Sequence, residues 1–144
     1  MVVAVNISIT TGTQKENVGR AEVLEGFGIK NDAHGGTWHR QVSLLAQESI
    51  EKMRVRGIDV GYGDFAENIT TQGLDLVALP VGTRLKVGPS VVLEVTQIGK
   101  ECHTRCAVYY QAGTCVMPEE GIFARVLAGG LIQAGHTIEV VEEK

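Results

Sequence analysis

Cysteine, proline and aromatic residues are all scarce in this chain of 144 residues, which has 3 cysteines, 3 prolines and 5% aromatics. All three cysteines lie within Cys102–Cys115, and an odd, local cluster argues against a disulfide framework. With 44% hydrophobic residues the chain is not a disordered tail. Because no repeat or low-complexity block divides it, we expect a single domain over residues 1–144.

An excess of positive charge is also missing. Thirteen Lys and Arg against 17 Asp and Glu give a net charge of -4, whereas a protein that neutralises nucleic-acid phosphates is normally basic. No apolar run approaches the roughly 20 residues that span a bilayer, and the first residues lack the pattern of a signal peptide. The expectation is therefore no nucleic-acid partner, no membrane and a cytoplasmic location.

Glycine, in contrast, is abundant, with 18 residues. It lies at the boundaries of several of six segments with β character. Each is β-branched or alternating and is bounded by Gly, Pro or Asn, which is typical of strands separated by turns. This predicts a mainly β fold closed into a β-barrel, because closure removes exposed strand edges. The six segments are Val2–Ser8, Ala21–Gly26, Glu67–Thr71, Thr83–Gly88, Val91–Gln97 and Thr137–Glu142.

Two other segments have a helical period. Ala46–Val55 places its apolar residues on one face, and Pro118–Ala128 begins with a proline and two glutamates, which suit a helix N-terminus. The pair Gly129-Gly130 reads as a stop signal. We expect two short helices that plug the barrel.

The densest group of reactive side chains follows the best predicted strand, in the sequence KECHTRC. A thiol beside His103 and Arg105 forms thiolate more readily than an isolated one, because positive neighbours favour the charged form. Thiolate binds soft metals or carries sulfur. Cys102 and Cys106 are therefore the candidate catalytic and metal-binding residues, whereas Cys115 reads as a small buried hydrophobe.

Zinc is a competing interpretation of Cys102, His103, Cys106 and Cys115. Structural zinc sites usually have two ligand pairs separated along the chain. Here Cys102 and Cys106 form one C-x3-C pair without a second, and the adjacent Cys102 and His103 cannot easily turn onto one ion. A thiol-redox or zinc-stabilised protein without catalytic activity is the alternative to a sulfur-handling function.

The loop NDAHGGTWHRQ is a candidate anion site. Two histidines, an arginine and paired glycines can bind an anion through side-chain donors and backbone N–H groups. His34, His39 and Arg40 are the candidate ligands, although a hydrogen-bonded structural role is equally open for each histidine. A third polar segment, GYGDFAEN, lacks phosphate-loop spacing, so Glu67 and Asn68 are expected to bond loop backbone.

Four segments together resemble the MOSC domain, which is found at the C-terminus of molybdenum cofactor sulfurases. They are GIKNDAHGGTWHRQVSLLAQESI, GDFAENITTQGLDL, EVTQIGKECHTRC and MPEEGIFARVLAGGLIQAGHTIEV. Their order and spacing make the resemblance specific, and it extends from about Ile29 to Val140. It implies a β-barrel similar to the barrel domain of pyruvate kinase.

The resemblance also implies a cysteine that binds the molybdenum cofactor (molybdopterin) or carries its sulfur. Cys102 takes the place of the family's Pro-Cys element, with Glu101 instead of the proline. Arg105-Cys106 matches the end of the C-x-R-C motif of related amidoxime-reducing enzymes, with one extra residue. Both cysteines stay open as the ligand.

The pterin's phosphate needs hydrogen-bond donors, which arginine side chains and loop N–H groups can supply, and we expect the binding set to be drawn from several segments. No aminotransferase-like region is present, so pyridoxal phosphate is not expected. The expected function is cofactor binding or sulfur carriage in molybdenum cofactor metabolism, with sulfur donor or acceptor proteins as partners, and carrier and enzyme both remain open. The set comprises His34, His39, Arg40, Asn68, Arg105 and Arg125.

Overall fold

The computed structural model describes residues 1–10, 14–33, 35–99 and 120–142. These ranges contain eleven strands, one α-helix, α1 (Gln47–Val55), and a 3-10 turn at Leu76–Ala78. The strands are β1 (Val2–Ile7), β2 (Glu16–Asn17), β3 (Arg20–Leu24), β4 (Gly28–Ile29), β5 (Val42–Ala46), β6 (Ile69–Thr71), β7 (Arg84–Val87), β8 (Val91–Ile98), β9 (Ile122–Ala128), β10 (Gly130–Gln133) and β11 (Ile138–Glu142).

The strands form two sheets that share one apolar core. The larger sheet has the order β11-β7-β8-β9-β5-β6-β1-β2, and the smaller has the order β10-β3-β4. Strands β5 and β6 are parallel, and the other described pairs are antiparallel. Val23 and Ile132 of the smaller sheet pack in the same cluster as Leu44 and Leu93 of the larger.

Helix α1 covers part of the other face of the larger sheet. Ile50 and Met53 of the helix pack with Leu45 and Phe123 in a second apolar cluster. Because successive side chains of a strand point to opposite faces, Leu44 and Leu45 enter different clusters. Strand β5 is therefore buried on both faces. In the part of the chain that the structure describes, no helix is long and apolar enough to cross a membrane.

The prediction of a closed barrel is wrong. β2 and β11 lie at opposite ends of the larger sheet, and among the described strands they pair only with β1 and β7. The chain instead changes sheets between β9 and β10. A Cβ at Gly129 would lie 2.5 Å from the backbone oxygen of Val23, so the glycine allows the close crossing onto β3. Two open sheets packed together then bury the core that a barrel would have enclosed.

The predicted helices have different outcomes. The helix over Ala46–Val55 is confirmed as α1. The helix over Pro118–Ala128 is wrong where the structure describes it, because Ile122–Ala128 is strand β9. β9 lies between β8 and β5, and residues 122–124 at its start are buried on both faces, so these consecutive apolar residues give the same signal as a buried helix. Pro118 itself lies outside the described residues, and α1 and the 3-10 turn are the helical elements within them.

Candidate functional site

A β-bulge at the end of β8 redirects its last side chains. The ladder between β8 and β9 shifts register between Val95 and Gln97, and such a shift turns side chains away from strict alternation. The Thr96 hydroxyl donates a hydrogen bond to the backbone oxygen of His39. The bulge thereby joins the end of β8 to the loop that precedes β5.

Gln97 is the centre of a hydrogen-bonded group at this position. Its Oε1 accepts a bond from Nε of Arg40 at 3.0 Å and lies 2.8 Å from Nε2 of His39. Because an amide oxygen only accepts, the His39 Nε2 carries the proton in this contact. The Gln97 Nε2 donates to the backbone oxygen of Gly99 at 2.7 Å. His39 and Arg40 are neighbours in the sequence and are both predicted binding residues. Their side chains meet at the Gln97 amide oxygen.

Arg40 is held by its Nε and by two aromatic rings. Its Cζ lies 5.2 Å from the centre of the Phe123 ring and 6.0 Å from that of Trp38, within the range of cation–π attraction. Among the described residues, its terminal amino groups form no hydrogen bond and no ion pair. Arg40 therefore presents charged donors that an anion can bind.

Arg125 lies on the wall of an open cleft of about 650 Å³. Its Nε and Nη2 are 2.8 and 2.7 Å from Oε1 of Glu94, its cross-strand neighbour. On the other side of Glu94, Nε of Arg84 is 3.8 Å from Oε2. The guanidinium groups of Arg125 and Arg84 thus lie on either side of the Glu94 carboxylate. The cleft is also lined by Gly26, Thr37, Trp38, His39, Gln41, Val81, Gly82, Val95 and Thr96.

Asn68 lies apart from this cleft, inside the larger sheet. Its Oδ1 accepts bonds from the backbone N–H and the hydroxyl of Ser43 at 2.9 and 3.2 Å. Its Nδ2 donates to the backbone oxygen of Asn6 at 3.2 Å. The amide therefore connects β5 with β1. Asn68 does bond to the backbone, as predicted, but its partners lie in strands and not in a loop.

The remaining candidates lie outside the described residues. This applies to the cysteine segment as a whole and to one histidine of the anion loop. Across the described ranges, no three His, Cys, Asp or Glu side chains are grouped so that they could hold a metal ion. The candidate residues that lie outside the described ranges are His34, Cys102, His103, Arg105, Cys106 and Cys115.

A buried ion pair fixes the start of the loop that carries His39 and Arg40. The Nζ of Lys15 is 2.7 Å from Oδ1 of Asp32, and both side chains are fully inaccessible to solvent. Lys15 also donates to the hydroxyl of Ser8, whose backbone N–H donates to the same carboxylate, each at 3.1 Å. Sequence reasoning missed this pair, because nothing in the intervening residues shows that positions 15 and 32 meet.

Glu67 is a second buried group with unusual electrostatics. Its Oε2 accepts bonds from the Thr70 hydroxyl at 2.7 Å and from the Gly63 N–H at 3.0 Å, while its Oε1 has no partner among the described residues. Burial raises the pKa of this carboxyl, and the hydrogen bonds only partly oppose the rise. The interior therefore favours the neutral acid.

Glu120 shows the opposite behaviour beside α1. Partial burial alone would raise its pKa, but hydrogen bonds from Lys52 and Ser49 hold it below the usual value. These bonds measure 2.9 and 2.7 Å. The contacts join α1 to Glu120, which lies two residues before the start of β9.

Comparison with known proteins identifies the family. A family model described as "MOSC domain" matches residues 31–139, whereas no curated protein sequence matches the chain. The crystal structure of the YuaD protein from Bacillus subtilis is 18% identical with a TM-score of 0.72, over 95% of this chain and 92% of that one. YiiM from Geobacillus stearothermophilus is 21% identical with a TM-score of 0.72, over 99% and 75%. YiiM from Escherichia coli is 19% identical with a TM-score of 0.69, over 100% and 71%. These structures share the fold, and the match to more than half of the chain shows that it belongs to the MOSC domain family.

Proposed function

We propose that this chain binds the molybdenum cofactor or carries sulfur for it, through a thiolate at Cys102 or Cys106. The observation that supports this most is the charged donor group of Arg40, held by Gln97 next to Gly99. Gly99 leads directly into residues 100–119, which contain both cysteines. Covalent geometry keeps the Cα of Cys102 within about 11 Å of that of Gly99.

The chemistry of the described donors fits an anionic cofactor. The terminal amino groups of Arg40 can bind a phosphate in the bidentate manner of guanidinium groups. Its neighbour His39 lines a cleft together with Arg125, and the cleft volume of about 650 Å³ is usual for a small-molecule site, although Arg40 is not itself one of the lining residues. When bound, the cofactor would supply the soft metal centre that a thiolate can ligate.

In this proposal the residues of the chain have different roles. Arg40 binds the phosphate end through its terminal amino groups, His39 adds a donor at Nδ1 when its ring is protonated, and His34, Arg105 and Arg125 extend the donor set. Asn68 acts at a distance by joining β5 to β1. We further propose one MOSC domain over residues 1–144, a cytoplasmic location, and sulfur donor or acceptor proteins as partners.

The test is to purify the protein from cells that make the cofactor. Oxidation would convert bound pterin to a fluorescent product, and elemental mass spectrometry would measure molybdenum and zinc. We expect stoichiometric pterin, or a persulfide on the chain in the mass spectrum of the intact protein. Stoichiometric zinc with neither would overturn the proposal in favour of the zinc-stabilised alternative.

A further inference from the structure

We propose that Gln97 is the positioning residue of this site, which holds His39 and Arg40 in the arrangement that binds an anion. The identity of the anion rests on the function proposed above. The arrangement itself rests on the described side chains alone.

The Gln97 amide is used on both sides. Its oxygen meets two donors, Nε2 of His39 and Nε of Arg40, at 2.8 and 3.0 Å. Its nitrogen donates to the carbonyl of Gly99 at 2.7 Å. A flipped amide would place its NH₂ against the donors and its oxygen against the carbonyl, so one orientation satisfies all the groups. The amide therefore fixes both side chains relative to the end of β8.

The backbone is shaped to bring Gln97 to this position. Val91, Leu93 and Val95 alternate into the core, so strict alternation would send Gln97 there as well. The register shift at Thr96 turns Gln97 out of that series. A bulge interrupts the ladder, and here it places an amide at the loop instead of in the core.

This arrangement determines which donors are left for a ligand. Gln97 holds Arg40 by Nε, so the end of the guanidinium that carries the two terminal amino groups is left for a ligand. Phe123 packs against the guanidinium and limits its movement. With its proton on Nε2, neutral His39 exposes Nδ1 as an acceptor, while the protonated ring would offer a donor there.

The first variant removes the amide at nearly constant size. In Gln97→Met, His39 loses the acceptor that favours a proton on Nε2, and the Nε of Arg40 loses its hydrogen-bond partner. We expect nitrogen-15 NMR of the histidine rings, assigned with a His39→Asn variant, to show a changed tautomer ratio. Inorganic phosphate, titrated as a probe, should bind about tenfold more weakly than to the wild type.

The second variant separates positioning from folding. Gln97→Glu keeps an acceptor for both donors, so the tautomer of His39 should remain Nε2–H, but the added negative charge should lower phosphate affinity at least as much. Gln133→Met, in the smaller sheet, is the matched control and should change neither property. A thermal melt of each variant confirms that the titrated protein is folded.

The outcomes separate this inference from the proposed function. An unchanged His39 tautomer in Gln97→Met, or equal phosphate affinity in wild type and both variants, would overturn the positioning role and leave the cofactor proposal standing. Wild-type protein without pterin or persulfide would instead overturn the cofactor proposal. The tautomer change and the loss of phosphate binding would still support Gln97.

Discussion

Two arginines that look equivalent in the sequence are held in different ways. Arg125 is paired with Glu94, whereas Arg40 is held by an amide and two rings and has no carboxylate partner in the described chain. We expect Arg40→Ala to lower pterin retention by about tenfold or more, since charge-assisted bonds to a phosphate are lost. Arg125→Ala should have a smaller effect.

Pterin per chain after gel filtration measures both effects. Arg56→Ala, exposed beyond the end of α1, is the control and should retain cofactor like the wild type. Equal retention in the Arg40 variant would remove that residue from the site.

Glu67 should make stability depend on pH. Because its pKa in the folded chain is raised above the ordinary value of 4.5, its stabilising contribution is complete below that value and is lost as the pH rises through the folded-state pKa. Glu67→Gln keeps the size and an acceptor but removes the charge. We expect it to raise the free energy of unfolding more at pH 8 than at pH 4, because glutamine has no charge to bury at the higher pH.

Urea unfolding across this pH range tests the prediction. Glu25→Gln, at an exposed position, should leave the pH dependence nearly as it is in the wild type. Parallel curves for the wild type and Glu67→Gln would show that Glu67 is not the group responsible.

At the scale of the elements, the Lys15–Asp32 pair joins the anion loop to the end of β1. Lys15→Met would deprive a buried carboxylate of its cation, which costs about 3–5 kcal/mol in typical buried pairs. The double variant Lys15→Met/Asp32→Leu should recover part of this loss. Lys30→Met removes an exposed pair with Glu22 at 3.8 Å and should cost less than about 1 kcal/mol.

Guanidinium unfolding at neutral pH measures these differences. If Lys15→Met and Lys30→Met had the same small effect, the buried pair would not be what anchors the loop.

The sequence predicted those elements whose pattern is local. Each of the six predicted strands overlaps an observed one, and β8 shows why, since its core-facing residues alternate with partly exposed ones. β9 begins without such alternation, because residues 122–124 are buried on both faces, and the sequence alone therefore predicts a helix there. Gln97 was missed because a bulge depends on pairing with a neighbouring strand, which no local pattern reveals.

At the scale of the whole molecule, strand periodicity indicates which faces are buried but not which strands pair. In a closed barrel and in two packed sheets alike, core-facing residues alternate with outward-facing residues along each strand. The difference lies at β2 and β11, which end the larger sheet among the described strands, and in the crossing at Gly129. The pair Gly129-Gly130 indicates only an interruption, and the sequence alone predicts the end of a helix there, whereas the structure has a change of sheet.

The last prediction concerns how fold and thiol chemistry are divided along the chain. All three cysteines lie within residues 102–115, and each can be replaced by serine with little change in size, so we expect Cys102→Ser, Cys106→Ser and Cys115→Ser to keep the β-dominated far-UV circular dichroism of the wild type. Serine is close in size to cysteine but is a poor ligand for a soft metal and cannot hold a persulfide. Bound cofactor or sulfur should therefore be lost in Cys102→Ser or Cys106→Ser and retained in Cys115→Ser. Loss in Cys115→Ser alone, or retention in all three, would show that the thiol mechanism is wrong.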